Sequence, residues 1–220
     1  EMLRSLVGSE MCIRDRTLTA KLISKWQAIG FVHGVMNTDN MTITGTTFDY
    51  GPYGFMDGFN IDYTPNSSDI HRRYSFQKQA EIGFWNLNKL AETLVPLVGS
   101  DLLQEEIKQY QPLFNRFYKE EMGRKLGISI LDADFSGLTQ EMFEFLFNHK
   151  LDYTNFFRLL ANFPEQTDKS KFDQEMHPWL DEYLKLCDRE SISHDKRKKK
   201  MDSVNPCLLY TSDAADDTPC

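Results

Sequence analysis

Between Asp49 and about Ala80 the chain has no helical or strand periodicity, and this gap constrains what the rest can fold into. Gly, Pro, Asn and Asp crowd it, with Tyr50, Tyr53, Phe55, Phe59, Tyr63, Tyr74 and Phe76 spread along it. Loops this long are uncommon inside a compact domain and are usually functional or disordered. Disordered segments are poor in aromatics, so this one reads as a loop packed onto its surroundings. The flanks are helical in period. Leu18, Leu22, Ile23, Trp26 and Ile29 mark a helix over 17–29, which Gly30 stops. Phe31 to Asn40 reads as a polar loop with an apolar entrance. Met41–Ile43 and Thr46–Phe48 are short strand-like pieces around Gly45, predicting a small hairpin. After Ile82, Trp85, Leu87, Leu90, Leu94 and Leu97 mark a helix. Leu102 to Leu126 marks another, interrupted near Pro112. Further helices are predicted over 139–148, 153–162 and 175–188. The fold class is α+β: a hairpin and a long loop beside a mainly helical bundle, with no internal repeat.

The two ends do not read as native protein. Ser5 to Arg16 (SLVGSEMCIRDR) and Cys207 to Asp217 (CLLYTSDAADD) look like read-through of transposon-end sequencing adapters. Met11 to Asp15 and Cys207 to Thr211 translate the two complementary strands of one oligonucleotide. Segments of that origin are set aside in fold reasoning. The expected organisation is therefore 1–16 and 207–220 as non-native ends and 17–206 as the native part. Of the four cysteines only Cys187 lies within it, which excludes a disulfide framework or a cysteine metal site. The net charge of −8 includes three aspartates after Pro206, while the first sixteen residues balance, leaving −5 for residues 17–206. This acidic balance argues against a nucleic-acid partner, and the one basic run, Lys196 to Lys200, reads as a solvated helix face or loop. No stretch approaches the roughly eighteen apolar residues of a membrane span.

The segment that offers chemistry is His33-Gly-Val-Met-Asn-Thr-Asp39-Asn40, followed after the hairpin by Asp49-Tyr50-Gly51. A loop presents a carboxylate and an amide side by side, and the hairpin returns a second carboxylate beside a glycine where the chain can turn. Oxygen ligands of this kind, completed by water and phosphate, are what Mg²⁺ uses when it binds with a nucleotide. A second carboxylate can orient or deprotonate an attacking hydroxyl. Kinase-type phosphate transfer uses these parts, although there the catalytic Asp and metal-binding Asn stand several residues apart, whereas Asp39 and Asn40 are adjacent. Asn and Asp clusters also make ordinary turns, so the pattern alone leaves both readings open.

The run GFVHGVMNTDNMTITGTTFDYGPYGFMD, Gly30 to Asp57, closely resembles the signature of the selenoprotein O family. Asn66-Ser-Ser-Asp69, Arg73-Tyr74-Ser-Phe76-Gln77, Gln79, Trp85-Asn-Leu87 and Ser203-Val-Asn-Pro206 follow the same pattern in order, so the resemblance covers essentially all of 17–206. It implies a protein-kinase-like fold, of which this chain would be mainly the α-helical C-terminal lobe. It also implies an enzyme that binds ATP in a flipped orientation and transfers AMP to Ser, Thr or Tyr hydroxyls of proteins. By resemblance Asp39 is the catalytic base, positioning the hydroxyl more than removing its proton early. Asn40 and Asp49 hold Mg²⁺ (or Mn²⁺), and Asp49 contacts ATP through the metal and phosphates. The expected partners are ATP and protein substrates, with no nucleic acid and no membrane. The expected compartment is cytoplasmic for a bacterial protein, the reading adopted, and mitochondrial for a eukaryotic one. The family usually has Gly where Arg72 stands, Pro at Ala80 and Pro at Ile61, all outside the metal site. The ATP-gripping N-terminal lobe is expected before residue 17, so the chain alone would be inactive or nearly so, with apolar surface bared around Ile29 to Val35. A conventional kinase and a non-enzymatic scaffold are the alternatives.

Other residues carry plainer expectations. His33 braces the loop backbone. His71, His149, His177 and His194 are scattered without metal spacing and read as surface or local contacts. Trp26, Trp85 and Trp179 lie on helical stripes and belong to the core, Tyr50 packs under the loop, and Asp57, Asp62 and Asp69 make turns. Cys187 reads as an apolar, buried or half-buried helix residue.

Overall fold

The computed structural model describes residues 2–206, with side chains from Ile13 onward. The segment 207–220, read above as adapter-derived, lies outside the described residues. The chain divides into two compact units, Glu1–Phe55 with Asn60–Glu121, and Met56–Phe59 with the chain from Met122 onward.

In the first unit, α1 (Met2–Ile29) is followed by β1 (Phe31–Val32), β2 (Gly54–Phe55), α2 (Gln79–Val98), α3 (Ser100–Lys108) and α4 (Tyr110–Leu126), the last counted here to Glu121. Gly30 ends α1 at φ 73°, in the left-handed region that a Cβ disfavours, as its sequence position predicts. The predicted 17–29 helix is the second half of α1, whose buried Ala20, Ile23 and Trp26 pack with Ile82 and Leu87 of α2 and Tyr110, Phe114 and Phe117 of α4. The interruption predicted near Pro112 falls instead at Gln109, whose N–H bonds to Glu106 O at 3.2 Å. Pro112 lies in the first turn of α4, where its missing N–H has no helical partner to lose. The one sheet among the described residues is antiparallel, with Phe31 opposite Phe55 and Val32 opposite Gly54. It lies where an irregular loop was predicted. The hairpin predicted over 41–48 is present as a single bridge between Met41 and Thr47, flanked by Thr42 N–H to Thr46 O at 3.0 Å and Phe48 N–H to Asn40 O at 2.9 Å. Phe31 and Val32 are buried, so the apolar entrance of the loop is covered rather than bared.

The long loop is held by its own turns. Asp69 accepts from the backbone N–H groups of Arg73 and Tyr74, each at 2.8 Å, and Phe76 N–H reaches back to Tyr63 O at 2.9 Å. Arg72 has φ 50°, a left-handed conformation natural to the glycine that the family resemblance has there. Two aromatic expectations fail. Trp85 is 40% exposed, with the Arg73 guanidinium 4.9 Å from its ring, because its stripe on α2 turns past the core residues Ile82 and Leu87. Tyr50 is 53% exposed, with its ring 6.0 Å from those of Phe31 and His33.

The second unit holds α5 (Ala133–His149), α6 (Tyr153–Ala161), α7 (His177–Asp188) and α8 (His194–Asp202). Asp132 and Asp152 cap α5 and α6 by accepting from Phe135 N–H at 3.1 Å and Asn155 N–H at 2.8 Å. Trp179 stacks on Tyr183 at 5.5 Å and donates its ring N–H to Leu138 O at 2.8 Å, a buried aromatic with its polar edge satisfied. Cys187 is buried there as a free thiol. The segment 56–59 belongs to this unit through Phe59 N–H to Leu151 O at 2.9 Å and Tyr153 N–H to Asp57 O at 2.7 Å.

Candidate functional site

His33, Asp39, Asn40 and Asp49 all lie in the first unit, on the path from β1 through the hairpin. An irregular backbone leaves many donors and acceptors unpaired, and here amide side chains from later in the chain pair them. Gln79 is fully buried at the start of α2. Its Oε1 accepts from His33 N–H at 3.1 Å, while its Nε2 donates to Phe31 O at 3.0 Å and to Gln27 Oε1 at 3.2 Å. Asn66 Nδ2 donates to Gly34 O at 3.2 Å and Asn86 Nδ2 to Met36 O at 3.0 Å. Tyr74 donates its hydroxyl to Asn37 Oδ1. Gly34 has φ 80°, and a Cβ there would run into Pro52 O, so the loop can pass only as glycine.

His33 is buried, and its Nδ1 accepts from Val35 N–H at 3.3 Å. Nε2 therefore carries the proton and donates to Thr47 Oγ1 at 2.7 Å. Burial pushes His33 below the ordinary histidine range, opposed in part by the carbonyl and charge of Asp49, in keeping with a neutral ring. Thr47 Oγ1 contacts Asn40 O at 2.7 Å and Asp49 O at 3.2 Å. One hydroxyl thus ties the buried histidine to the backbones of both residues expected to hold metal. His33 braces, as its position in the sequence suggests.

Asn40 is half-buried. Its Nδ2 donates to Val35 O at 2.9 Å, and because a carbonyl can only accept, this fixes the amide and leaves Oδ1 as the atom for a ligand. Phe48 pairs with Asn40 across the hairpin, so Asp49 follows directly on the residue opposite the amide. Asp39 and Asp49 are both exposed. The chain turns after Asp49 through Tyr53 N–H to Gly51 O at 2.8 Å, without a left-handed φ at Gly51. The donor set offered, an amide oxygen and carboxylates, suits a hard divalent cation. Thr47, Asn86, Gln79, Asn66 and Tyr74 all stand within stretches that follow the family pattern, but nothing in their spacing gives them this bracing role.

A family model described as protein adenylyltransferase SelO matches residues 15–218. The chain belongs to the SelO family. It is 42% identical over 199 residues to Protein nucleotidyltransferase YdiU of Aliivibrio fischeri (strain MJ11), covering 88% of this chain and 41% of that protein. It is 43% identical over 199 residues to the protein of the same name from Vibrio atlanticus (strain LGP32), with the same coverage. For that of Pseudomonas fluorescens (strain SBW25) the identity is 40% over 201 residues, covering 86% of this chain and 40% of the relative. This SelO chain thus spans about two fifths of the length of the curated relatives it matches. The family match begins at the end of the first segment read as adapter and runs through most of the last. Among the described residues no helix is long and apolar enough to cross a membrane.

Proposed function

We propose that this SelO chain carries the metal- and hydroxyl-handling part of a protein adenylyltransferase with a protein-kinase-like fold. The observation that supports it most is the His33–Thr47 link to the backbones of Asn40 and Asp49, which sets the two candidate ligand residues on either side of one hairpin. Asn40 Oδ1 and the Asp49 carboxylate would hold Mg²⁺ or Mn²⁺. The bound metal would offset repulsion between the carboxylates and the ATP triphosphate. Asp49 would meet ATP through that metal. Asp39, exposed one residue before Asn40, would orient a Ser, Thr or Tyr hydroxyl of a protein substrate and receive its proton. The hydroxyl oxygen forms a bond to the α-phosphorus as the bond to pyrophosphate breaks, so AMP stays on the protein and pyrophosphate leaves. The proposed setting is the bacterial cytoplasm, with residues 17–206 as the native part of the chain.

The test uses the whole protein, Mn²⁺ or Mg²⁺, and ATP labelled at the α- or the γ-phosphate. The expected result is label on protein from the α position only, reduced at least about 100-fold by Asp49→Ala. Label from the γ position would make the protein a kinase. Label from neither, with a folded protein, would leave the scaffold reading.

A further inference from the structure

A second group of ligating side chains lies in the other unit, where the turn after α6 meets the start of α8. Glu165, His194 and Asp195 each present one ligand atom, and these lie within 4.8 Å of one another. Exposed carboxylates alone would mean little, but the histidine is different: its side chain is 6% exposed against 60% for Glu165. His194, expected as a surface or local contact, is thus not a surface residue.

His194 Nε2 lies 3.1 Å from Phe163 O, which can only accept, so the proton sits on Nε2 and the ring is oriented by that bond. Histidine metal ligands are commonly held in this way, with the far N–H on a backbone carbonyl. Arg197 Nη2 donates to the same carbonyl at 3.0 Å. Gln166 and Thr167 N–H groups bond to Asn162 O at 2.8 and 3.1 Å and fix the turn that carries Glu165. His194 Nδ1 is then left buried with no hydrogen-bond partner, although Glu165 Oε2 is 3.2 Å away. The oxygen is close but off the direction in which a ring N–H would donate. A lone pair and a carboxylate oxygen at that distance repel unless a proton or a metal ion lies between them, and the off-axis oxygen is poorly placed for the proton. A metal ion satisfies both without requiring the oxygen to lie on the N–H axis.

We propose that Glu165, His194 and Asp195 form a binding site for a first-row divalent cation, with Zn²⁺ as the favoured occupant. An imidazole nitrogen with two carboxylates suits zinc, whereas Mg²⁺ prefers an all-oxygen shell. Ligands about 2.0–2.2 Å from zinc stand roughly 3.5 Å from one another. Glu165 and His194, 3.2 Å apart, already stand near ligand spacing, and the wider separations in the trio, up to 4.8 Å, must close by about an ångström. Both are exposed and can do so by changing rotamer. The positive end of α8 opposes a cation here, and the charges of Glu165 and Asp195 offset it. A bound ion would pin the turn after α6 onto α8.

The test titrates Zn²⁺ into the metal-free 220-residue chain without a histidine tag. Cys12, Cys207 and Cys220 are replaced by serine so that terminal thiols do not compete. Calorimetry should show one equivalent bound, weakened at least about tenfold in Glu165→Gln and in Asp195→Asn, whose exposed side chains leave folding intact. Millimolar Mg²⁺ should not displace it, and Co²⁺ should give a visible absorption band that the same variants lose. No binding, or binding unchanged in both variants, overturns the proposal.

Discussion

At the scale of the residue, charge and fold conflict most sharply at Lys125. Its side chain is almost wholly buried, with Nζ 3.9 Å from the Phe157 ring centroid and 5.1 Å from that of Tyr153. Aromatic faces attract an ammonium but replace little of its hydration, and burial lowers Lys125 from 10.5 to about 7. In the unfolded chain the group keeps its ordinary value, so between pH 7 and 10.5 the unfolded state binds more protons and stability rises with pH. The burden is full below pH 7 and is relieved as pH climbs. Cys187 and Tyr183 are pushed up by burial and act in the opposite sense above about pH 9. The clean window is therefore about pH 7 to 8.5. Urea unfolding across it should show a midpoint that rises with pH. Lys125→Met should flatten the slope and stabilise the protein at pH 7, on the order of a few kcal/mol. An unchanged slope would mean that the ammonium keeps its charge in the folded state.

At the scale of the element, the loop from His33 to Asn37, which leaves β1 and has no ladder partner, is held by side chains, chiefly Gln79. Replacing Gln79 with leucine keeps the volume but removes the amide oxygen that accepts from the buried His33 N–H and the amide N–H that donates to Phe31 O. The expected cost is roughly 2–4 kcal/mol in urea unfolding, with metal affinity falling as the hairpin loosens. A loss below about 0.5 kcal/mol would show that water replaces the amide. This dependence also explains what the sequence could and could not reveal. The helices were legible because Leu18 to Ile29 and Trp85 to Leu97 repeat with a period near 3.6, whereas the start of α5 at Ala133, capped by Asp132, lies six residues before the predicted one at 139. β1 and β2 were not, since strands of two residues have no period to read. Asp39, Asn40 and Asp49 were legible as a chemical pattern. Their braces were not, because Gln79, Asn86 and Thr47 act through pairings that only the folded chain defines. His194 was hidden for the same reason, its carboxylate partner Glu165 lying far away in sequence.

At the scale of the whole molecule the open matter is which residues belong to the fold. The family match runs from 15 to 218, while the sequence of the ends reads as adapter from 1 to 16 and from 207 onward. Asp15 and Arg16 stand at the disputed boundary and behave differently. Arg16 pairs with the Glu106 carboxylate at 2.5 Å, across a partly buried contact. Asp15 is 4% exposed, its Oδ2 has no partner, and burial raises its pKa against a weaker pull from Arg14. It lines a cavity of about 370 Å³ with Thr38, Met41, Ile43, Asn86 and Leu87. A buried carboxylate whose pKa is raised weakens the fold as pH rises past its ordinary range. At the described side chains Asp15 and Arg16, removing residues 1–16 deletes a favourable pair and an unfavourable burial, and removing 207–220 deletes three negative charges. If the ends are adapter-derived, the chain of residues 17–206 should unfold within about 1 kcal/mol of the 220-residue chain at pH 7 and keep its near-ultraviolet circular dichroism. A loss of several kcal/mol, or collapse of that signal, would instead make the ends part of the fold. Asp15→Leu separates the two terms: stabilisation in the full-length chain identifies the unpartnered carboxylate as the unfavourable one, and destabilisation gives it a partner in the cavity.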